Sequence, residues 1–274
     1  MSAVQAPEGW HAELRLRFAR RGARTYLAHR QHTGPLLVQR SFHPEPNACH
    51  VYIVHPPGGV VGGDQLRLQV DVDDGAHALL TTPAAAKFYR SDGKIARQTQ
   101  TITVRQGSVE WLPQETIFYR DAIVRNQTQV HLSAGAKFIG WEISCLGLPA
   151  RNEPFDSGDL RLHLELWLDN VPLLVDRQRI IGASESRTAP WGLAGHEAIG
   201  TLLAYPANRA LVELVRGTIA EQAEFAVTLV DEVLVCRCVS NQAEHVRKVF
   251  IKMWQELRPP LLECPAVLPR IWAT

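Results

Sequence analysis

The sequence predicts a mainly β protein whose helices are confined to the C-terminal part. Three observations carry that expectation. Apolar and polar residues alternate in several short segments, turn-forming clusters separate those segments, and helical periodicity appears only late in the chain.

The alternation is clearest in three places. In residues 13–18, Leu14, Leu16 and Phe18 alternate with Glu13, Arg15 and Arg17. In residues 66–73, Leu66, Leu68, Val70 and Val72 alternate with Arg67, Gln69, Asp71 and Asp73. In residues 160–169 every even position is leucine, and Arg161, His163, Glu165, Trp167 and Asp169 lie between. Successive side chains of a strand point to opposite faces, so each pattern gives one buried and one solvated face. Weaker alternation covers 98–105 and 124–132. The clusters Asp73-Asp74-Gly75, Ser91-Asp92-Gly93, Gln106-Gly107-Ser108 and Asp156-Ser157-Gly158 read as turns.

In residues 242–257, Val246, Val249, Phe250, Met253 and Leu257 recur at three- and four-residue steps. Asn241 and Glu244 are placed to cap this helix, and Pro259-Pro260 to stop it. A shorter helix is expected over about 207–215, closed by Gly217. Longer loops at 151–158 and 183–192 do not read as domain linkers, so residues 1–274 are taken as a single domain. No sequence repeat stands out.

The 274 residues are 46% hydrophobic and 21% charged, enough apolar material for a sizeable core. Twenty-nine basic residues against twenty-eight acidic ones leave a formal charge of +1. Such a chain has no global field to draw it onto nucleic acid or an anionic membrane, and neither is an expected partner. The cysteines Cys49, Cys145, Cys236, Cys238 and Cys264 are odd in number and sparse, which points away from a disulfide framework and toward a reducing cytoplasm. The opening MSAVQAPEGW has neither the basic nor the apolar segment of a secretory leader, and no apolar run approaches a membrane span.

Familiar catalytic patterns are missing. His55-Pro56-Pro57-Gly58-Gly59-Val60-Val61-Gly62-Gly63-Asp64 is glycine-rich. It nonetheless lacks the Gly-Lys-Ser/Thr ending of a phosphate loop and the spacing of a dinucleotide fingerprint, and no long amphipathic helix follows it. Neither a Gly-x-Ser-x-Gly elbow nor a His-Glu-x-x-His pair occurs. Cys236 and Cys238 share one side of an apolar run at 233–239 and read as core residues, since a closed metal site needs further ligands. No catalytic residue and no permanently bound cofactor is expected.

Several stretches resemble, in order, the UreD family of urease accessory proteins, called UreH in some bacteria. They begin with residues 24–40, opening Arg24-Thr25-Tyr26-Leu27-Ala28-His29, and continue with the glycine-rich stretch quoted above. Next come Leu80-Thr81-Thr82-Pro83-Ala84-Ala85-Ala86-Lys87-Phe88-Tyr89-Arg90-Ser91, Glu110-Trp111-Leu112-Pro113-Gln114-Glu115 and Gly140-Trp141-Glu142, and the ending Pro269-Arg270-Ile271-Trp272-Ala273-Thr274. The resemblance implies a β-helix-like stack of sheets with two helices toward the C-terminal part. It also implies a non-enzymatic scaffold that acts with UreF, the GTPase UreG and apo-urease, as a dimer within the accessory complex. Nickel(II) would be cargo in transit through an internal, water-filled route.

Nickel(II) accepts carboxylate, imidazole and water, and a conduit must hold it weakly, which favours isolated carboxylates. Glu142 interrupts the apolar run Phe138-Ile139-Gly140-Trp141-Glu142-Ile143, where a carboxylate is costly unless paired, hydrated or metal-bound. It is a waypoint, or else a partner of Arg120 or Arg125, or a residue at an exposed strand edge. Asp64 is a waypoint or a turn residue bonding its own backbone. Glu115 lines an interior path or caps a surface turn, and Asp176 is a waypoint or an ion-pair partner of a nearby arginine. Lys87, Tyr89 and Arg90 form a docking surface for a partner or a solvated strand end. The exposed face of the helix at 242–255 is another candidate contact. Two other classes remain open: a hydrolase using Asp64 and Glu142 as an acid–base pair, and a carbohydrate-binding β module, which requires Trp111, Trp141 and Trp167 on one solvent face.

Overall fold

The computed structural model describes residues 9–273; Thr274 and the first eight residues, on which the leader expectation rests, lie outside them. In chain order the elements are β1 His11–Arg21, β2 Arg24–Thr33, β3 Leu37–Phe42, β4 Cys49–Val54, β5 Gln65–Val72, β6 His77–Thr81, β7 Ala86–Phe88, β8 Ala96–Val104 and β9 Ser108–Leu112. There follow β10 Thr116–Phe118, β11 Ala122–Leu132, β12 Lys137–Leu148, β13 Glu153–Pro154, β14 Gly158–Leu168, β15 Val171–Ile181 and β16 Ala198–Tyr205. The chain closes with α1 Arg209–Thr218, β17 Phe225–Val230, β18 Val233–Ser240 and α2 Ala243–Leu262.

The strands form two sheets. One has the order β15-β14-β11-β8-β5-β1-β2. The other runs β17-β18-β16-β12-β9-β6-β4-β3, with β10 and β13 attached to β12 and β7 attached to β10. From β4 to β14 the chain passes back and forth between them, laying each new strand parallel to its predecessor in the same sheet, the two-residue β13 excepted. On the first sheet Leu66 lies beside Gln98, Gln98 beside Asn126 and Asn126 beside Leu162. On the second, Cys49 lies beside Ala78, Ala78 beside Val109 and Val109 beside Phe138. This is the expected β-helix-like stack, mainly β with two helices near the C-terminus. Antiparallel strands flank the coil at both ends.

Two cores explain the sequence pattern. Between the sheets pack Leu14, Leu16, Phe18, Val70, Val130 and Phe138. Between the second sheet and the helices pack Ile139, Trp141, Leu202, Phe250, Trp254 and Leu257. The first sheet keeps one face in water and alternates. The second is covered on both faces, so β4, β6 and β16 are almost wholly buried and read as continuous apolar runs.

The helices depart from the sequence expectation at their ends. α1 continues through Gly217, and Asn208 caps it by accepting the Leu211 amide at 3.1 Å. α2 has Gln242 at its cap without a side-chain bond, so the Asn241–Glu244 pair does not form. It also runs through Pro259 and Pro260 to Leu262. Both prolines are exposed, whereas Leu257, Arg258, Leu261 and Leu262 are buried. Docking of that stripe outweighs the missing amides, whose acceptors belong to the exposed Gln255 and Glu256. Among the described residues no helix is long and apolar enough to cross a membrane.

Candidate functional site

The second sheet is interrupted at one level. β6 stops at Thr81 and pairing resumes at Ala86; β9 stops at Leu112 and resumes at Thr116; β4 stops at Val54, and Val60 then bridges to Phe88. The gaps at 55–59, 82–85 and 113–115 all contain proline, which has no amide to give to a ladder. The rungs on either side stay aligned: Tyr52–Thr81–Leu112 before the gaps, Phe88–Phe118–Leu146 after them. β12 runs straight through, paired with β16 on its other side. Its ladder to β9 ends at Gly140 and its ladder to β10 begins at Ser144, so Trp141, Glu142 and Ile143 have no strand on that side.

Behind the interruption lies a cavity of about 380 Å³ between the sheets. Leu66, Leu68, Gln98, Gln100 and Asn126 of the first sheet face Trp111 and Glu142 of the second across it. Two of its buried polar atoms, Asn126 Oδ1 and Trp111 Nε1, have no protein partner. They supply an acceptor and a donor to whatever enters, water included.

Glu142 occupies an inward-facing position of β12. The Thr128 hydroxyl lies against its carboxylate and is also 2.8 Å from Gln100 Oε1. Burial pushes Glu142 up to about 7; the Thr128 hydrogen bond opposes the shift and the nearby Asp176 charge adds to it. On the other side of Glu142 is a pocket of about 20 Å³, room for roughly one water, bordered by Ser144, Asp176, Gln178 and Thr201. Asp176 is buried. It accepts from Gln178 Nε2 at 2.9 Å, and its other oxygen is 3.3 Å from Arg237, which is half exposed at the surface. Glu142 therefore borders both spaces, and Asp176 follows it toward the outside.

The other acidic candidates lie off this path. The Asp64 carboxylate accepts the amides of Trp10 at 2.8 Å and Val61 at 3.0 Å and so braces a turn. Glu115 stands between Gln114 and Thr116, which face the cavity, and turns the opposite way toward Cys145. Arg120 pairs with Asp156 at 2.9 Å and Arg125 with Asp159 at 3.2 Å, so neither neutralises Glu142. Asp64 lines neither of the two spaces that Glu142 borders, so the two do not converge there as an acid–base pair. Trp111 and Trp141 are 3% and 1% exposed, so the aromatic strip of a carbohydrate-binding face does not exist. Lys87 lines the cavity, while Tyr89 is exposed beside Tyr119 at 4.9 Å and precedes the exposed Arg90. A Cβ on Gly59 would lie 2.2 Å from the Tyr89 ring, so glycine is what lets that ring rest on the interrupted row. Among the described residues, no group of three or more His, Cys, Asp or Glu is placed to hold a metal ion.

The family model described as UreD urease accessory protein matches residues 11–273. The chain belongs to the UreD family of urease accessory proteins. It is 44% identical over 271 residues to the urease accessory protein UreD of Klebsiella aerogenes, a match covering 97% of this chain and 98% of that one. To the UreD of Escherichia coli it is 44% identical over 275 residues, with 97% and 98% covered. To that of Pseudomonas putida strain GB-1 it is 43% identical over 272 residues, with 98% and 96% covered.

This UreD-family chain also carries an ion cluster beneath α2 that sequence reasoning missed. Arg258 is fully buried; its Nη2 lies 2.7 Å from Glu45 and its Nε 3.0 Å from Glu110, and a third bond goes to the Pro265 carbonyl. Glu110 also accepts from Trp254 Nε1 at 2.6 Å and lies 2.7 Å from His77 Nε2. Burial alone would raise Glu110, but His77 and Arg258 hold it down at about 2. Burial alone would lower His77, yet its bonds to Cys264 and Glu110 and the Glu110 charge push it up to about 9. The available signal was Arg258 on the buried stripe of α2, four residues after Trp254.

Proposed function

We propose that this chain serves urease maturation as a scaffold that, with UreF and the GTPase UreG, passes nickel(II) to apo-urease through the space between its sheets. Family membership supports the place in urease maturation. The observation that carries the route is Glu142, whose carboxylate borders both the large cavity and the small pocket leading to Asp176.

The chemistry suits a cation in transit. A cavity of about 380 Å³ has room for a divalent cation with its water shell. At the narrow pocket the ion must exchange water for oxygens of Glu142 and Asp176. Two carboxylates hold nickel(II) loosely, where a cage of histidines and thiolates would trap it. Because Glu142 is raised to about 7, a cation competes there with a proton, and acid favours release. The dimeric state within the accessory complex and the cytoplasmic setting belong to the same proposal; the five free cysteines suit a reducing compartment.

The test is co-expression with UreF, UreG and apo-urease, scoring both complex formation and nickel per urease. Glu142→Ala and Asp176→Ala are expected to keep the complex and lower the nickel content. Full nickel loading in both variants would remove the route. Failure of the wild-type chain to join any of the three partners would remove the scaffold.

A further inference from the structure

The outward face of the first sheet carries four arginines on one rung. Arg97 of β8 pairs in register with Arg125 of β11, Arg125 with Arg161 of β14, and Arg161 with Arg179 of β15. Neighbouring strands are about 4.8 Å apart, so four cations fall within roughly 15 Å. Like charges on adjacent rungs repel. A single carboxylate relieves two of them: Asp159 lies 3.2 Å from Arg125 and 3.2 Å from Arg179. Arg97 and Arg161 are exposed, and their guanidinium groups have no hydrogen bond or ion pair among the described residues. The next rung, from Arg67 through Thr99, Gln127 and His163 to Arg177, meets carboxylates only at its ends, Glu13 in register beside Arg67 and Glu165 3.3 Å from Arg177. A shallow hollow of about 460 Å³ lies over Arg97, Arg125 and Arg161, beside Thr99, Gln127 and His163. With a net charge of only +1 on the whole chain, this is a local concentration of positive charge.

We propose that this face docks a carboxylate-rich segment of a partner protein, whose acidic side chains pair with Arg97 and Arg161. Those two arginines flank Arg125 two strands apart, about 10 Å, and the neutral side chains of Thr99 and Gln127 between them can bond a polypeptide backbone. Asp159 already shows that a carboxylate can bridge members of this row. Nucleic acid fits less well. Its binding rests on many phosphate contacts, on the order of 6–10, and here only two arginines of the row are unpaired. The stacked pair His131–Trp167 stands three rungs away from the row, so no aromatic platform adjoins the free arginines. The site is separate from the cavity and from Lys87, Tyr89 and Arg90.

The test uses the full-length chain and a fluorescein-labelled ten-residue peptide of alternating Glu and Thr, followed by anisotropy at low and moderate salt. Saturable binding is expected, weakened at least tenfold in the Arg97→Gln/Arg161→Gln double variant. It should be unchanged in Arg151→Gln/Arg209→Gln, which removes the same charge from exposed positions elsewhere. The thermal midpoint of each variant verifies folding. Absence of saturable binding, equal weakening in both double variants, or tighter binding of a ten-nucleotide oligothymidylate than of the peptide would each overturn the proposal.

Discussion

Thr128 and Glu142 meet across the gap between the two sheets, and their contact ties the charge of one to the hydrogen of the other. The Thr128 hydroxyl has one hydrogen and two acceptors within reach, Glu142 and Gln100 Oε1. Protonated Glu142 resolves the conflict by donating to Thr128, which then donates to Gln100. Ionised Glu142 takes the Thr128 hydrogen, and the Gln100 amide must turn to donate in its place. Protonation of one cavity carboxylate therefore sets the orientation of a second polar group on the opposite wall.

This linkage makes stability depend on pH. Glu142 is raised in the folded chain to about 7 from an unfolded value of about 4.3. Between these values the folded state holds a proton that the unfolded state has lost, so stability falls as pH rises through the window. Glu142→Gln removes the dependence. The variant should exceed wild type at pH 8 by on the order of 1–2 kcal/mol, less than the full shift implies because water in the cavity screens the charge. The two should converge at about pH 4, below the unfolded value. Urea midpoints at both pH values measure this; a pH-independent difference would refute it.

The cluster around Arg258 gives the opposite behaviour in acid. Glu110 is held at about 2, so its contribution is complete above about 4.3 and fades as pH falls toward 2. His77 is raised to about 9, so its contribution is complete below about 6.5 and is lost as pH rises through 9. Both are at full strength only between those limits, roughly pH 4.3 to 6.5. Arg258→Met strips both Glu45 and Glu110 of the guanidinium, leaving His50 beside Glu45 and His77 and Trp254 beside Glu110, and should cost about 3–5 kcal/mol. Adding Glu110→Gln to that variant should recover part of the loss. Equilibrium unfolding in urea measures both; a double variant no more stable than the single one would show that the carboxylate is not what suffers.

The first sheet was legible in the sequence because one of its faces meets water. Every alternating segment, from 13–18 to 160–169, lies largely or wholly within one of its strands. The second sheet was not, because β4, β6 and β16 are covered on both faces and carry no alternation, which also hides the repeat of the coil. Glu142 and Asp176 could be picked out as carboxylates in apolar surroundings. Asp64 could not be assigned, since a turn brace and a waypoint look alike after glycines. The Glu110–Arg258 contact joins β9 to α2 across more than half the chain, and no local pattern announces such a pair. Pro259-Pro260 misled for a related reason: the local rule for stopping a helix yields to a buried stripe that continues past it.

Asp64→Ala strips the Trp10 and Val61 amides of their acceptor and should cost about 1–3 kcal/mol. Because the carboxylate lies outside both cavities, nickel per urease should stay at the wild-type level once corrected for folded protein. Metal analysis of the matured enzyme, combined with urea midpoints, separates the two effects. Unchanged stability with reduced nickel would make Asp64 part of the proposed route.

Gly200 tests how closely α2 must approach the second sheet. It lies in β16, and a Cβ built there would fall 2.6 Å from Val246 Cγ1, 2.8 Å from the Phe250 ring and 2.9 Å from Cys238 Sγ. Val246 and Phe250 are fully buried on the inner stripe of α2 and cannot swing into solvent. Gly200→Ala must therefore lift the helix or force both side chains off their rotamers, at about 1–3 kcal/mol, and Gly200→Val should cost more. Gly200 also borders the pocket beside Asp176, so a displaced α2 would disturb the narrow end of the cavity as well. The variants should show lower urea midpoints in the order Ala, then Val, with faster amide exchange concentrated in α2. Uniform exchange across the chain would mean that the helix and sheet move as one body and that the close contact is not the limiting one.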